Sequence, residues 1–265
     1  MPYLKVNDIN LYYERHGQGE PVLFIHGLGS STRDWEYQLD YFKARYQMLL
    51  IDLRGHGKSD KPDHPYTIAQ FTSDTAKLIQ AFFPQGVHVV GHSLGGMVAF
   101  QLGVDYPELV KTLTIVNSAP AVIFPSFKAQ IYFLLRAFDV RLFGMHHLST
   151  QLAKALLPKP EQAALRETFV QRWCENDPKA YRNALRAFRG WTVMHRIPSI
   201  LCPTLVIAAE NDYTEVSFKQ LYVRLMPNAK LVVIKDSRHL TIIDQAELFN
   251  QTVGEFLKEN PLPIR

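Results

Sequence analysis

Short apolar runs recur along the chain, separated by longer stretches of helical character: Val22 to Ile25, Tyr46 to Ile51, Val87 to Val90, Leu113 to Val116, Leu205 to Ala208 and Leu231 to Ile234. The apolar residues are consecutive rather than alternating, the pattern of strands covered on both faces, as in a parallel sheet between helices. The fold class is therefore α/β. Ahead of these runs, Leu4 to Val6 and Ile9 to Glu14 flank Asn7-Asp8 and predict a hairpin that adds an antiparallel edge. The rhythm breaks after Asn117. From Pro120 to about Pro198 no clear strand is visible, but helical patterns are, beginning with Phe127, Ile131, Leu134, Leu135, Phe138 and Leu142 on one stripe. The alternation resumes at Leu201. This reading gives a discontinuous sheet domain, 1–119 and 199–265, with a helical cap inserted at 120–198.

Composition narrows the options without changing this picture. The 265 residues, 47% hydrophobic and 20% charged, have the balance of a chain that buries a large core, which excludes disorder. Cys174 and Cys202 lack ligand-like spacing and read as reduced thiols, so neither a zinc knuckle nor a disulfide framework is expected. The polar, strand-like N-terminus lacks the apolar run of a signal peptide, and no stretch of about 18 apolar residues exists to span a membrane. A cytoplasmic location is the expectation. A net charge of +4 is too mild to argue for nucleic acid, but its distribution is uneven. Between Ala121 and Arg196 there are twelve Lys/Arg against five Asp/Glu. A basic cap could meet an anionic substrate or an acidic carrier protein.

The strand-like Val87 to Val90 runs into Gly91-His92-Ser93-Leu94-Gly95-Gly96 and then the helical Met97 to Leu102. This is G-x-S-x-G between a strand and a helix. Such a sharp turn needs small residues at Gly91 and Gly95, carries His92 with it, and projects the Ser93 hydroxyl outward. The Leu94 amide, at the start of the helix, points toward a negative oxygen forming on a bound carbonyl. A second amide donor is expected from His26-Gly27-Leu28-Gly29 after the first buried strand, with Leu28 N–H the candidate and His26 an organiser of the loop. An alkyl hydroxyl needs a base, and the base needs a carboxylate to fix its tautomer. Of ten histidines, His239 lies on the short polar loop after Leu231 to Ile234, at the same sheet edge. Asp212, just beyond Leu205 to Ala208, is the expected acid. Its rivals are Glu210, closer to the strand, and Asp236, too near His239 in sequence to reach the ring easily. Asn117 ends another strand but cannot hold a charge. The other histidines read as surface or structural, with His147 the foremost candidate among them to line a pocket.

These segments together resemble the α/β-hydrolase superfamily over essentially the whole chain: His26 to Gly29, Asp52-Leu53-Arg54-Gly55-His56-Gly57-Lys58-Ser59-Asp60, the turn Gly91 to Gly96, Glu210-Asn211-Asp212 and the loop ending in His239. The order Ser93, Asp212, His239 is that of the family. The resemblance implies an α/β-hydrolase fold, a mostly parallel central sheet flanked by helices, with Asp52, Arg54 and His56 as architecture beside the site. It implies acyl transfer to water without metal or organic cofactor. Serine at the turn separates the chain from haloalkane dehalogenases and epoxide hydrolases, which carry aspartate there. A carboxylesterase acting on a small ester with an apolar acyl part is the expectation. Enol-lactone hydrolysis, a pimeloyl-carrier-protein methyl esterase using the basic cap, and a non-catalytic small-ligand receptor are the alternatives. The cap offers Phe124, Phe127, Tyr132, Phe133, Leu134, Leu135, Phe138, Phe143 and Met145 for an apolar pocket, and Arg136, Arg141, Arg182, Arg186 and Arg189 for an anion.

Overall fold

Strands β1 (Tyr3–Val6) and β2 (Ile9–His16) form the expected hairpin, with Tyr3 opposite Tyr12 and Asn7 at the turn in the left-handed region, φ 48°. The structure is a computed structural model that describes residues 2–122 and 127–262. The chain continues through β3 (Glu20–Ile25), α1 (Glu36–Lys43), β4 (Tyr46–Ile51), α2 (Ile68–Phe82), β5 (Val87–His92), α3 (Leu94–Asp105) and β6 (Val110–Val116). It leaves the sheet for α4 (Phe127–Leu156), α5 (Ala163–Cys174) and α6 (Pro178–Arg186). It then returns through β7 (Thr204–Ala209), α7 (Val216–Val223), β8 (Ala229–Ile234), α8 (Thr241–Asp244) and α9 (Ala246–Glu259).

The eight strands form one sheet in the order β1-β2-β4-β3-β5-β6-β7-β8. β1 and β2 are antiparallel, and the neighbours from β4 to β8 run parallel. Consecutive strand residues enter opposite layers. Leu23, Ile25 and Val89 pack with Phe71, Val98 and Phe100, whereas Val22, Phe24 and Val90 pack with Trp35, Phe42 and Phe249. Burial on both faces is why these strands are apolar at every position, and each such side chain is worth about 1.5–3 kcal/mol. From β3 the chain crosses to β4 on one side, then returns to build β5 to β8 on the other. The direction of winding therefore reverses between β3 and β5, where a crevice opens at the carboxyl ends of the strands.

The α4 stripe corrects one expectation. Phe127, Ile131, Leu135, Phe138 and Leu142 are exposed, Phe127 at 76%. The buried row of this helix is instead Val140, Met145, Leu148, Leu152 and Leu156. Gly144, at φ 75° and ψ −179°, interrupts the helix and resets its phase, so the row that packs inward, Val140 apart, belongs to the second half. Phe124 lies outside the described residues, as do the side chains of Tyr132 and Leu134. Among the described residues no helix is long and apolar enough to cross a membrane.

Candidate active site

The turn between β5 and α3 is as tight as its glycines require. A Cβ on Gly91 would fall 2.3 Å from the Gly95 carbonyl oxygen, and one on Gly95 would fall 2.1 Å from that of Ile25. Ser93 is held at φ 53° and ψ −114°, a conformation costing about 1–3 kcal/mol that the surroundings must impose. They do so through Ser93 N–H donating to Val116 O (2.9 Å) and Ser93 O accepting from Gly96 N–H (2.9 Å) and the Ser118 hydroxyl (2.8 Å). Ser93 is thereby half-buried at the floor of a cavity of about 460 Å³.

His239 faces it across the crevice, with Nε2 2.8 Å from Ser93 Oγ. Its Nδ1 lies 2.6 Å from Asp212 Oδ1. An ionised carboxylate only accepts, so Nδ1 carries the proton and Nε2 is left to accept from the serine hydroxyl. Such an imidazole can take that proton as the oxygen attacks a carbonyl. The rival acids are occupied elsewhere. Glu210 accepts from Asp236 N–H at 3.0 Å, and the exposed Asp236 pairs with Lys159 at 2.5 Å. Leu94 N–H belongs to the first turn of α3, and Leu28, after β3, lines the same cavity. The loop carrying Leu28 is fixed by His26, whose Nδ1–H donates to Gly27 O (2.7 Å) while Nε2 accepts from Leu53 N–H (3.0 Å). Burial lowers His26 to about 4, so it stays neutral as an organiser. Asp52, Arg54 and His56 are buried architecture, as expected: Asp52 accepts from Thr32 N–H and Lys58 N–H, and Arg54 is clamped by Asp74.

Three residues at the site were not singled out for these roles by the sequence. Lys219, from α7, donates to Asp212 Oδ2 at 2.5 Å and to Thr214 O at 2.8 Å, with both charged side chains wholly buried. Burial pushes the Asp212 carboxyl upward, but the charges and hydrogen bonds of His239 and Lys219 outweigh it and hold the group well below the usual range. Asn117, at φ 47° after β6, accepts from Ala209 N–H (2.7 Å) and donates to His239 O (2.9 Å) and Thr241 Oγ1 (2.8 Å). It ties the histidine loop to the end of β7. His92 donates from Nε2 to His239 O at 2.8 Å, and burial lowers it to about 3. It is His92, not the exposed His147, that lines the cavity. Asn117→Ala strands the buried Ala209 N–H and is expected to cost about 1–3 kcal/mol, read as a lower urea midpoint with an unchanged m-value.

A reversal of sheet winding with a strained serine at its crevice defines a hydrolase scaffold of the α/β type. The sequence model of the alpha/beta hydrolase fold matches residues 20–246, and the chain belongs to that family. A RutD protein of Azorhizobium caulinodans, assigned to carbamate hydrolysis, is 29% identical over 270 residues, covering 98% of this chain and 99% of that one. The 3-oxoadipate enol-lactonase 2 of Acinetobacter baylyi is 26% identical over 261 residues, covering 96% of each. The crystal structure of an enol-lactonase from Burkholderia xenovorans superposes with a TM-score of 0.88 at 25% identity, covering 97% of this chain and 100% of that one.

Proposed function

We propose that this hydrolase cleaves carboxylic esters or lactones through an acyl-enzyme on Ser93. The observation that carries the reading is the unbroken hydrogen-bonded path from Ser93 Oγ through His239 to Asp212 at the cavity floor. Ser93 Oγ attacks the acyl carbon as its proton passes to His239 Nε2. The amides of Leu28 and Leu94 hold the oxyanion, and the imidazolium, steadied by Asp212, then protonates the leaving oxygen. Water enters by the reverse roles, His239 taking its proton, and the acid departs. The carbamates and enol-lactones in the names of the relatives each present a carbonyl of the kind such a serine attacks. Residues 120–198 act as a cap over a core of 1–119 and 199–265, closing the cavity from above.

A fluorophosphonate is expected to add one phosphonyl group to the peptide containing Ser93, with p-nitrophenyl acetate hydrolysis falling in step with labelling. Absence of the adduct, together with no turnover across ester and lactone panels, would refute the assignment.

A further inference from the structure

The wall that α4 and α5 give the cavity is built mainly from Met145, Leu148, Leu152 and Leu156, and the half-buried Arg136 joins it with no ion pair among the described residues. Its Nε is shielded from solvent and has no hydrogen-bond partner among the same residues. The Arg136 guanidinium lies over the Tyr181 ring, 5.4 Å from its centroid. Among the described residues no Asp or Glu lines the cavity. Of the five arginines prominent in the cap sequence, Arg136 alone reaches this lining.

A buried donor without a partner costs free energy comparable to a lost hydrogen bond, and an unpaired cation in apolar surroundings costs more. Guanidinium N–H groups only donate, so whatever satisfies them must accept. His92 Nδ1, an acceptor without a partner among the described residues, sits against Gly27. One cation on an apolar wall complements a monoanion, whereas a phosphate dianion would keep a charge unmatched. We propose that the substrates carry a second, ionised carboxylate, with Arg136 as its counter-ion. The enzyme then hydrolyses half-esters of dicarboxylic acids, or lactone acids, in preference to their neutral counterparts.

This substrate class rests on the acyl-transfer reading of Ser93, so binding is measured where no turnover occurs. Ser93→Ala protein is titrated calorimetrically with monomethyl succinate, glutarate and adipate, and with the corresponding dimethyl esters. The best monoanion is expected to bind about tenfold tighter than its dimethyl ester or better, a ratio typical of a charge-assisted hydrogen bond. The ratio collapses toward unity in Ser93→Ala/Arg136→Met, recovers in part with Arg136→Lys, and persists with Arg189→Met, which alters an exposed cap arginine. Because Arg136→Met breaks no ion pair among the described residues, that variant is expected to melt no lower than its parent. Equal binding of acid and neutral ester, no binding of any monoanion, or a ratio indifferent to Arg136 overturns the carboxylate subsite, while phosphonate labelling of Ser93 would still stand. Loss of labelling with the binding ratio intact would reject the chemistry and keep the subsite.

Discussion

Ser93→Ala is expected to lower kcat for a p-nitrophenyl ester by about a thousandfold or more, with the melting temperature unchanged. The substitution removes the oxygen proposed to bond to the acyl carbon and empties the 2.8 Å contact with His239 Nε2. It leaves the turn alone, because alanine tolerates φ 53° no better than serine and the three backbone anchors of residue 93 remain. What is expected to survive is the proposed stabilisation of the oxyanion by the amides of Leu28 and Leu94, worth a modest acceleration of attack by water. The acyl burst disappears with the rate. His239→Ala is expected to match the loss, and the double variant to be no worse than either, since the groups act as one unit. Turnover in Ser93→Ala within tenfold of the parent would eliminate the serine as nucleophile.

Lys219→Met is expected to destabilise the protein by about 3–5 kcal/mol and to shift the acidic limb of the kcat/KM profile to higher pH. Methionine keeps the length and packing of the side chain but leaves Asp212 Oδ2 unpaired where neither side chain meets solvent. A carboxyl held below its ordinary value of 3.8 contributes stability that is present above that value and lost as pH falls through the lower, folded one. The Asp212 contribution therefore stands across the neutral range in the parent and drains only below about pH 4. The shift in rate follows from the same charge. Around His239 stand Asp212, the neutral His92 ring at 5.1 Å and the Tyr213 ring at 4.5 Å, with Lys219 behind the carboxylate as the fixed cation. Removing that cation eases formation of the imidazolium beside Asp212, so the neutral imidazole needed for attack persists only at higher pH. Urea titration and pH–rate profiles check the two effects separately. Asp212→Asn added to Lys219→Met is expected to recover stability without recovering rate, and an unchanged midpoint with superimposable profiles would show the pair to be inert.

The strands were legible because burial on both faces leaves consecutive apolar residues. The site was legible because Ser93, Asp212 and His239 each follow a strand at one sheet edge. Lys219 was not. In Val216–Val223 a single lysine reads as the solvent-facing position of a short helix, and only the return of the loop after β7 turns it inward. Asn117 could be placed at a strand end, but its bonds to Ala209, His239 and Thr241 join segments 92, 122 and 124 positions away, which no local pattern encodes. The α4 stripe failed differently. Periodicity correctly placed Phe127, Ile131, Leu135, Phe138 and Leu142 on one side, but it carries no information about which side meets the rest of the fold. The five cap arginines look alike in sequence, and only packing distinguishes Arg136.

His239 and Ser93 are separated by 146 positions, and the sheet between them must close from β5 through β6 and β7 to β8 before the two can touch. Loop-closure entropy has to be met before that contact returns anything. The proposed ester cleavage is thus a readout of the completed architecture, expected only in the final stage of refolding, and a fragment ending before β7 carries Ser93 without the histidine and acid proposed to activate it.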